Sequence, residues 1–168
     1  MILWRISNYA DLGGGGGLTR AGRWHHRGRP VVYLASSAAS ALLEALVHLE
    51  AATPSELPLS YQLLEVALPD DASIHDAPEQ TNADWRQHLT LTRRIGDQWL
   101  AGGSSLLLRV PSAVVGRTFN LLFNPAHPLA TACRVVSVAR FPFDGRLVAV
   151  PTVETRSQTP IPGPTSVR

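Results

Sequence analysis

Arg23, Tyr33 and Glu44 stand within one short run, AGRWHHRGRPVVYLASSAASALLE from Ala21 to Glu44. Their side chains suit an anionic dinucleotide better than DNA. A guanidinium grips a diphosphate through two parallel hydrogen bonds, a phenol ring stacks on a flat base, and a carboxylate supports positive charge developing on a ribose. Each residue also has an ordinary alternative. Arg23, between Gly22 and Trp24, is either a positioned anion binder or a loop arginine. Tyr33 is either a core residue or a ligand contact, and Glu44 is either a site carboxylate or one solvated helix glutamate.

The elements around them follow from local pattern. Val31 to Ala35 is β-branched and apolar, which predicts a strand buried on both faces. Ser36-Ser37 offers an N-cap, and Ala39, Leu42, Leu43, Leu46 and Leu49 recur at helical spacing. A helix is therefore expected from Ala38 to about Ala51-Ala52, ahead of Pro54. On it Glu44 lies about 200° from both Leu42 and Leu46 but beside Ala41 and Val47, a small-residue neighbourhood that would leave room for a ligand.

Further strands are expected at Met1 to Asn8, at Tyr61 to Leu68, at Ser105 to Val110 with Pro111 as the stop, and at Arg134 to Arg140. A second long helix is expected from Asn82 to Ala101, weakened at Gly96 and ended by Gly102-Gly103. Gly13 to Gly17 reads as a mobile loop, since regular structure tolerates such a run poorly; it either stays on the surface or folds over a ligand. The organisation is one α/β domain over 1–150 and a flexible Pro/Thr-rich tail over 151–168 with little means of forming a core.

Composition narrows the function classes. Fifteen Lys and Arg against thirteen Asp and Glu form no basic run, so direct nucleic-acid binding is not expected. Cys133 is the single cysteine, which excludes an intramolecular disulfide or a thiolate cluster. The histidines lack metal-ligand spacing, and no metal is expected. No apolar run is long enough to span a membrane, and the first residues do not read as a signal peptide, so a cytoplasmic protein is expected. The glycine run is followed by Leu18-Thr19-Arg20, which fits neither a P-loop nor GxGxxG. No GxSxG occurs, and Ser112 after Pro111 is better placed to cap a turn than to attack a carbonyl.

Taken in order, Trp4-Arg5, Gly22-Arg23-Trp24, Gly28, Val32-Tyr33-Leu34-Ala35, Ala41-Leu42-Leu43-Glu44, Leu46-Val47-His48, Gly96-Asp97 with Trp99, Leu108-Arg109-Val110-Pro111-Ser112, Asn120 and Asn124-Pro125 with His127-Pro128 resemble the RES domain family. The resemblance runs from Trp4 to about Leu147. It implies an ADP-ribosyltransferase-like α/β (α+β) fold, with a split, mostly antiparallel sheet and a central cleft for NAD. It also implies a toxin of a bacterial type II toxin–antitoxin pair, encoded beside an Xre-type antitoxin and homodimeric within a larger complex. By the same resemblance the namesake Arg, Glu and Ser fall on Arg23, Glu44 and Ser112, with Arg5 a weaker candidate for the arginine, and Tyr33 and Asn120 match further polar positions of the pocket. Two departures border that pocket: His25 stands where the family usually has Asn, and the glycine run is longer than usual.

The implied activity is loss of NAD+ by cleavage of its nicotinamide–ribose bond, with water or inorganic phosphate as acceptor and no cofactor beyond these substrates. Nicotinamide leaves a cationic pyridinium as a neutral molecule, so no acid is needed to protonate it and one carboxylate can suffice where an ordinary glycosidase uses two. Glu44 fits that need. Arg23 is expected to hold the diphosphate, Tyr33 to pack on the nicotinamide end, and Ser112 and Asn120 to orient. Two rivals stand beside this expectation: transfer of ADP-ribose to a macromolecule, and a non-catalytic partner of a DNA-binding antitoxin.

Overall fold

A computed structural model describes residues 1–49, 51, 53–79 and 84–148; the tail read above over 151–168 lies outside the described residues. The chain runs β1 (Ile2–Ser7), α1 (Gly15–Thr19), β2 (Val32–Ala35), α2 (Ala38–Leu49), β3 (Gln62–Ala67), β4 (Ile74–Asp76), α3 (Leu89–Gly102), β5 (Leu107–Pro111), β6 (Phe119–Phe123) and β7 (Arg134–Arg140).

The seven strands form one sheet in the order β4-β5-β6-β2-β1-β3-β7. All neighbours are antiparallel except β4 and β5. β1 is paired along its length with β3, from Ile2 opposite Ala67 to Ser7 opposite Gln62. Toward β2 it meets its neighbour only where Trp4 faces Ala35. The sheet is thus split at the β1/β2 seam into two well-zipped halves.

Alternation along the strands separates two cores. Leu3, Val32, Leu34, Leu107, Leu121 and Phe123 pack together on one side of the sheet. On the other side, Leu108, Val110 and Leu122 pack under Trp24, Trp85 and Trp99, and Ile6 and Ala35 pack under Ala41. The two long helices therefore cover neighbouring parts of one face, α3 through Trp99 and α2 through Ala41. Ser37 starts α2 as an N-cap, its Oγ accepting from the Ser40 amide at 3.1 Å.

Three expectations need correction. Gly15–Thr19 is a short helix, α1, where a loop was expected. The glycines serve close packing: Gly17 is buried, a Cβ there would collide with the Arg29 carbonyl, and the Gly28 amide donates to the Gly17 carbonyl at 3.0 Å. α3 begins at Leu89 and not near Asn82, because His88, at φ −90° and ψ 67°, breaks the path between it and a 3-10 turn at Trp85–Gln87; residues 82 and 83 lie outside those described. Pro111 belongs to β5 instead of stopping it short, and its missing N–H costs no ladder bond at a strand end. Gly96, the weak point of that helix, sits against the Trp24 carbonyl, where a side chain would not fit. The interior strand β6, between β5 and β2, was not anticipated as an element.

Candidate active site

The split seam opens into a cavity of about 700 Å³. β1 contributes Trp4, Arg5, Ile6 and Ser7; β2 contributes Tyr33 to Ala35; α2 contributes Ala41, Glu44, Ala45 and His48; and β6 contributes Asn120. α1 and the segment after it close another side with Gly16, Gly17, Thr19, Arg20 and Gly22, joined by His25.

Glu44 is half-buried on the cavity wall. Its Oε1 accepts two hydrogen bonds, from Ser112 Oγ at 2.7 Å and from Asn120 Nδ2 at 2.8 Å. Both donors are buried. Register brings them together: Asn120 faces Val110 on β5 and Ala35 on β2, and Ser112 follows directly after β5. Among the described residues no hydrogen bond reaches Glu44 Oε2, so one oxygen is pinned and the other is not.

Ser112 is fully committed. Its oxygen accepts from the Val114 and Val115 amides at 3.1 and 3.0 Å, and its single proton goes to Glu44. The turn cap read from the sequence is present, and the same hydroxyl orients a carboxylate. An oxygen with both lone pairs and its proton engaged is a poor nucleophile.

Arg23 lies beside the cavity and is not among the residues that line it. Its guanidinium donates through Nη1 to the Arg86 carbonyl and sits 5.9 Å from the Trp85 ring centroid. Burial pushes its pKa down, while the Glu44 charge and Tyr33 hold it up. Arg5 does line the cavity; burial lowers its pKa too, with Asp11 opposing, and Nη1 donates to the Asp11 carbonyl at 2.9 Å.

Tyr33 is held from behind. Its hydroxyl receives the Trp24 amide at 3.1 Å and lies 2.9 Å from His25 Nδ1. Burial drives its pKa well above the usual phenol value, so it stays a neutral donor. His25 is 4% exposed, and burial pushes its pKa below the ordinary 6.5, against the pull of the Arg20 carbonyl and Asp97. His26 anchors the same segment to α3, its amide and Nδ1 contacting Asp97 at 3.1 and 2.7 Å.

A family model described as the RES domain matches residues 2–144. The chain belongs to the RES domain family. It is 49% identical to Toxin Res of Pseudomonas putida, over 88% of this chain and 99% of that one. It is also 35% identical to the Prs ADP-ribosylating toxin of a Sphingobium strain, over 86% of this chain and 95% of the relative. Among solved structures, the M. tuberculosis MbcT–MbcA toxin-antitoxin complex matches with a TM-score of 0.56 at 17% identity, covering 83% of each chain. That likeness concerns the fold, a mixed α/β RES domain built on a mostly antiparallel sheet.

Within this RES domain Tyr33, Glu44 and Asn120 come together on the cavity wall, Ser112 stands directly behind Glu44, and Arg23 is at the side. The cavity also holds Arg20 and His48, to which the sequence assigns no site role, and His25, which it marks only as a departure. His48 follows Glu44 by one helical turn on α2, a spacing that was legible. Arg20 and His25 are placed by tertiary folding of a glycine-rich segment, which no periodicity announces. Among the described residues no group of three or more His, Cys, Asp or Glu side chains is placed to hold a metal ion, and no helix is long and apolar enough to cross a membrane.

Proposed function

We propose that this RES domain is a toxin enzyme that cleaves the nicotinamide–ribose bond of NAD+. The observation that carries this reading is Glu44, a carboxylate on a large cavity with one oxygen pinned by Ser112 and Asn120 and the other unclaimed. A fixed negative charge aimed at C1′ stabilises an oxocarbenium-like ribose as neutral nicotinamide departs. Because the donors are already in place, little reorganisation is needed as the charge develops.

Tyr33 packs on the nicotinamide end, and Asn120 holds Glu44 in register with it. Arg23 grips or neutralises the diphosphate from the side of the cavity, with Arg5 as the cationic group within it. The ribosyl cation is then captured by water or by inorganic phosphate, which makes the enzyme a glycohydrolase or a phosphorylase.

The named relative from Sphingobium, an ADP-ribosylating toxin, favours a second reading in which a macromolecule captures the same cation. Incubation of the purified protein with NAD+ labelled in its adenine separates the acceptors. Hydrolysis yields ADP-ribose, phosphorolysis yields a phosphorylated ADP-ribose only when phosphate is present, and transfer leaves label on polymer. Intact NAD+ after prolonged incubation would refute all three and leave the non-catalytic role.

The toxin-antitoxin complex that shares the fold supports an antitoxin partner; we propose that this partner is of the Xre type and encoded in the same operon. A homodimer within that assembly and a cytoplasmic site of action complete the proposal.

A further inference from the structure

We infer that His25 is a positioning residue for this reaction: as a neutral imidazole protonated on Nε2, it fixes the hydroxyl of Tyr33 and thereby the ring that packs on the substrate. The inference rests on the proposed reading of the cavity.

The hydrogen-bond roles are forced by chemistry. His25 Nε2 lies 3.1 Å from the Arg20 carbonyl, a group that can only accept, so Nε2 must carry a proton. Burial favours the neutral ring, and in that ring Nδ1, 2.9 Å from Tyr33 Oη, is the lone-pair side. Tyr33 Oη already receives the Trp24 amide at 3.1 Å, which leaves its own proton to go to Nδ1. A single directed chain results: Trp24 N–H to Tyr33 oxygen, Tyr33 O–H to His25 Nδ1, His25 Nε2–H to the Arg20 carbonyl.

Packing holds the pair close against the backbone at Gly22. The two rings are 5.6 Å apart between centroids. A Cβ at Gly22 would stand 2.6 Å from His25 Cε1 and 2.7 Å from Tyr33 Oη, so the bare glycine lets both atoms press against the backbone. Both rings line the cavity. The chain also joins β2 to the segment that carries Arg23, so tyrosine and arginine are held by one local structure.

Protonation of His25 would destroy this arrangement, since Nδ1–H would point a second donor at Tyr33 and leave the tyrosine proton without its acceptor. Burial opposes that event. Asp97 on α3 favours it, Arg93 on α3 and His26 disfavour it, and Tyr33 on β2 stays neutral.

The test combines kinetics with a direct view of the proton. With NAD+ as substrate, His25→Leu is expected to lower kcat/KM by about tenfold to a hundredfold, the scale for a misplaced substrate contact, and His25→Asn, whose amide oxygen can accept from Tyr33, to recover most of the loss. In 15N-labelled wild-type protein near neutral pH, the imidazole shifts of His25 are expected to report a neutral ring with its proton on Nε2. A folded His25→Leu with wild-type kcat/KM overturns the inference alone, as does a proton found on Nδ1, a reading that remains available if His25→Leu does not fold. A wild type that releases no nicotinamide overturns the reading of the site and this inference with it.

Discussion

Ser112 and Glu44 are joined by a 2.7 Å hydrogen bond that uses the only proton of the serine hydroxyl. The two residues are far apart in sequence, one after a strand and one on a helix, and each is half of the other's purpose. Ser112 points the carboxylate, and the Val114 and Val115 amides occupy the lone pairs that a nucleophilic serine would have to use.

On the proposed reading, Ser112→Ala should slow NAD+ cleavage without abolishing it. A hydrogen bond to a charged group is worth about 1.5–3 kcal/mol, or roughly tenfold or more in rate if it is all spent on orienting Glu44. The Val114 and Val115 amides also lose their acceptor, so thermal melts should show a destabilised fold, by about 1–3 kcal/mol. Complete loss of turnover in a folded variant would instead mark Ser112 as a nucleophile.

How much of this was legible in the sequence depends on how local the signal is. α2 begins at Ala38 and β7 spans Arg134–Arg140, as apolar spacing and bounding residues predict. β6 escaped notice because Phe119–Phe123 is short and its burial comes from lying between β5 and β2, a relation of register and not of pattern. The meeting of Glu44 with Ser112 and Asn120 is non-local in the same way; only resemblance to the family put the three residues together beforehand. The glycine run misled because its purpose is contact with another backbone, which local propensity does not register.

The two cavity-side arginines make a separable prediction. Arg23→Lys loses a planar fork that bonds the Arg86 carbonyl and faces Trp85, and an ammonium cannot restore a bidentate grip. KM for NAD+ should rise by about tenfold with kcat less affected. Arg5→Lys is the comparison, because Arg5 lines the cavity; a larger rise in KM there, with Arg23→Lys unchanged, would transfer the diphosphate to Arg5.

Acid sensitivity should trace partly to His25. Its folded pKa is lowered chiefly by burial from the ordinary 6.5, so below that value the unfolded chain takes up a proton more readily than the folded one. The stability is fully present above pH 6.5 and is lost as pH falls toward the lower folded value. Tm measured from about pH 7 down to about pH 5 should fall less steeply for His25→Asn than for the wild type. Parallel slopes would contradict a buried neutral imidazole.

Release of free nicotinamide from NAD+, followed by mass spectrometry for the wild type and for Glu44→Gln, tests the central claim most directly. The amide oxygen of glutamine can still accept from Ser112 and Asn120, so the fold is kept while the charge is removed. Nicotinamide is expected from the wild type and at a rate about a hundredfold lower or less from Glu44→Gln, the scale for losing one electrostatic stabiliser. Wild-type protein that leaves NAD+ intact, or a folded Glu44→Gln that matches the wild-type rate, would contradict the account.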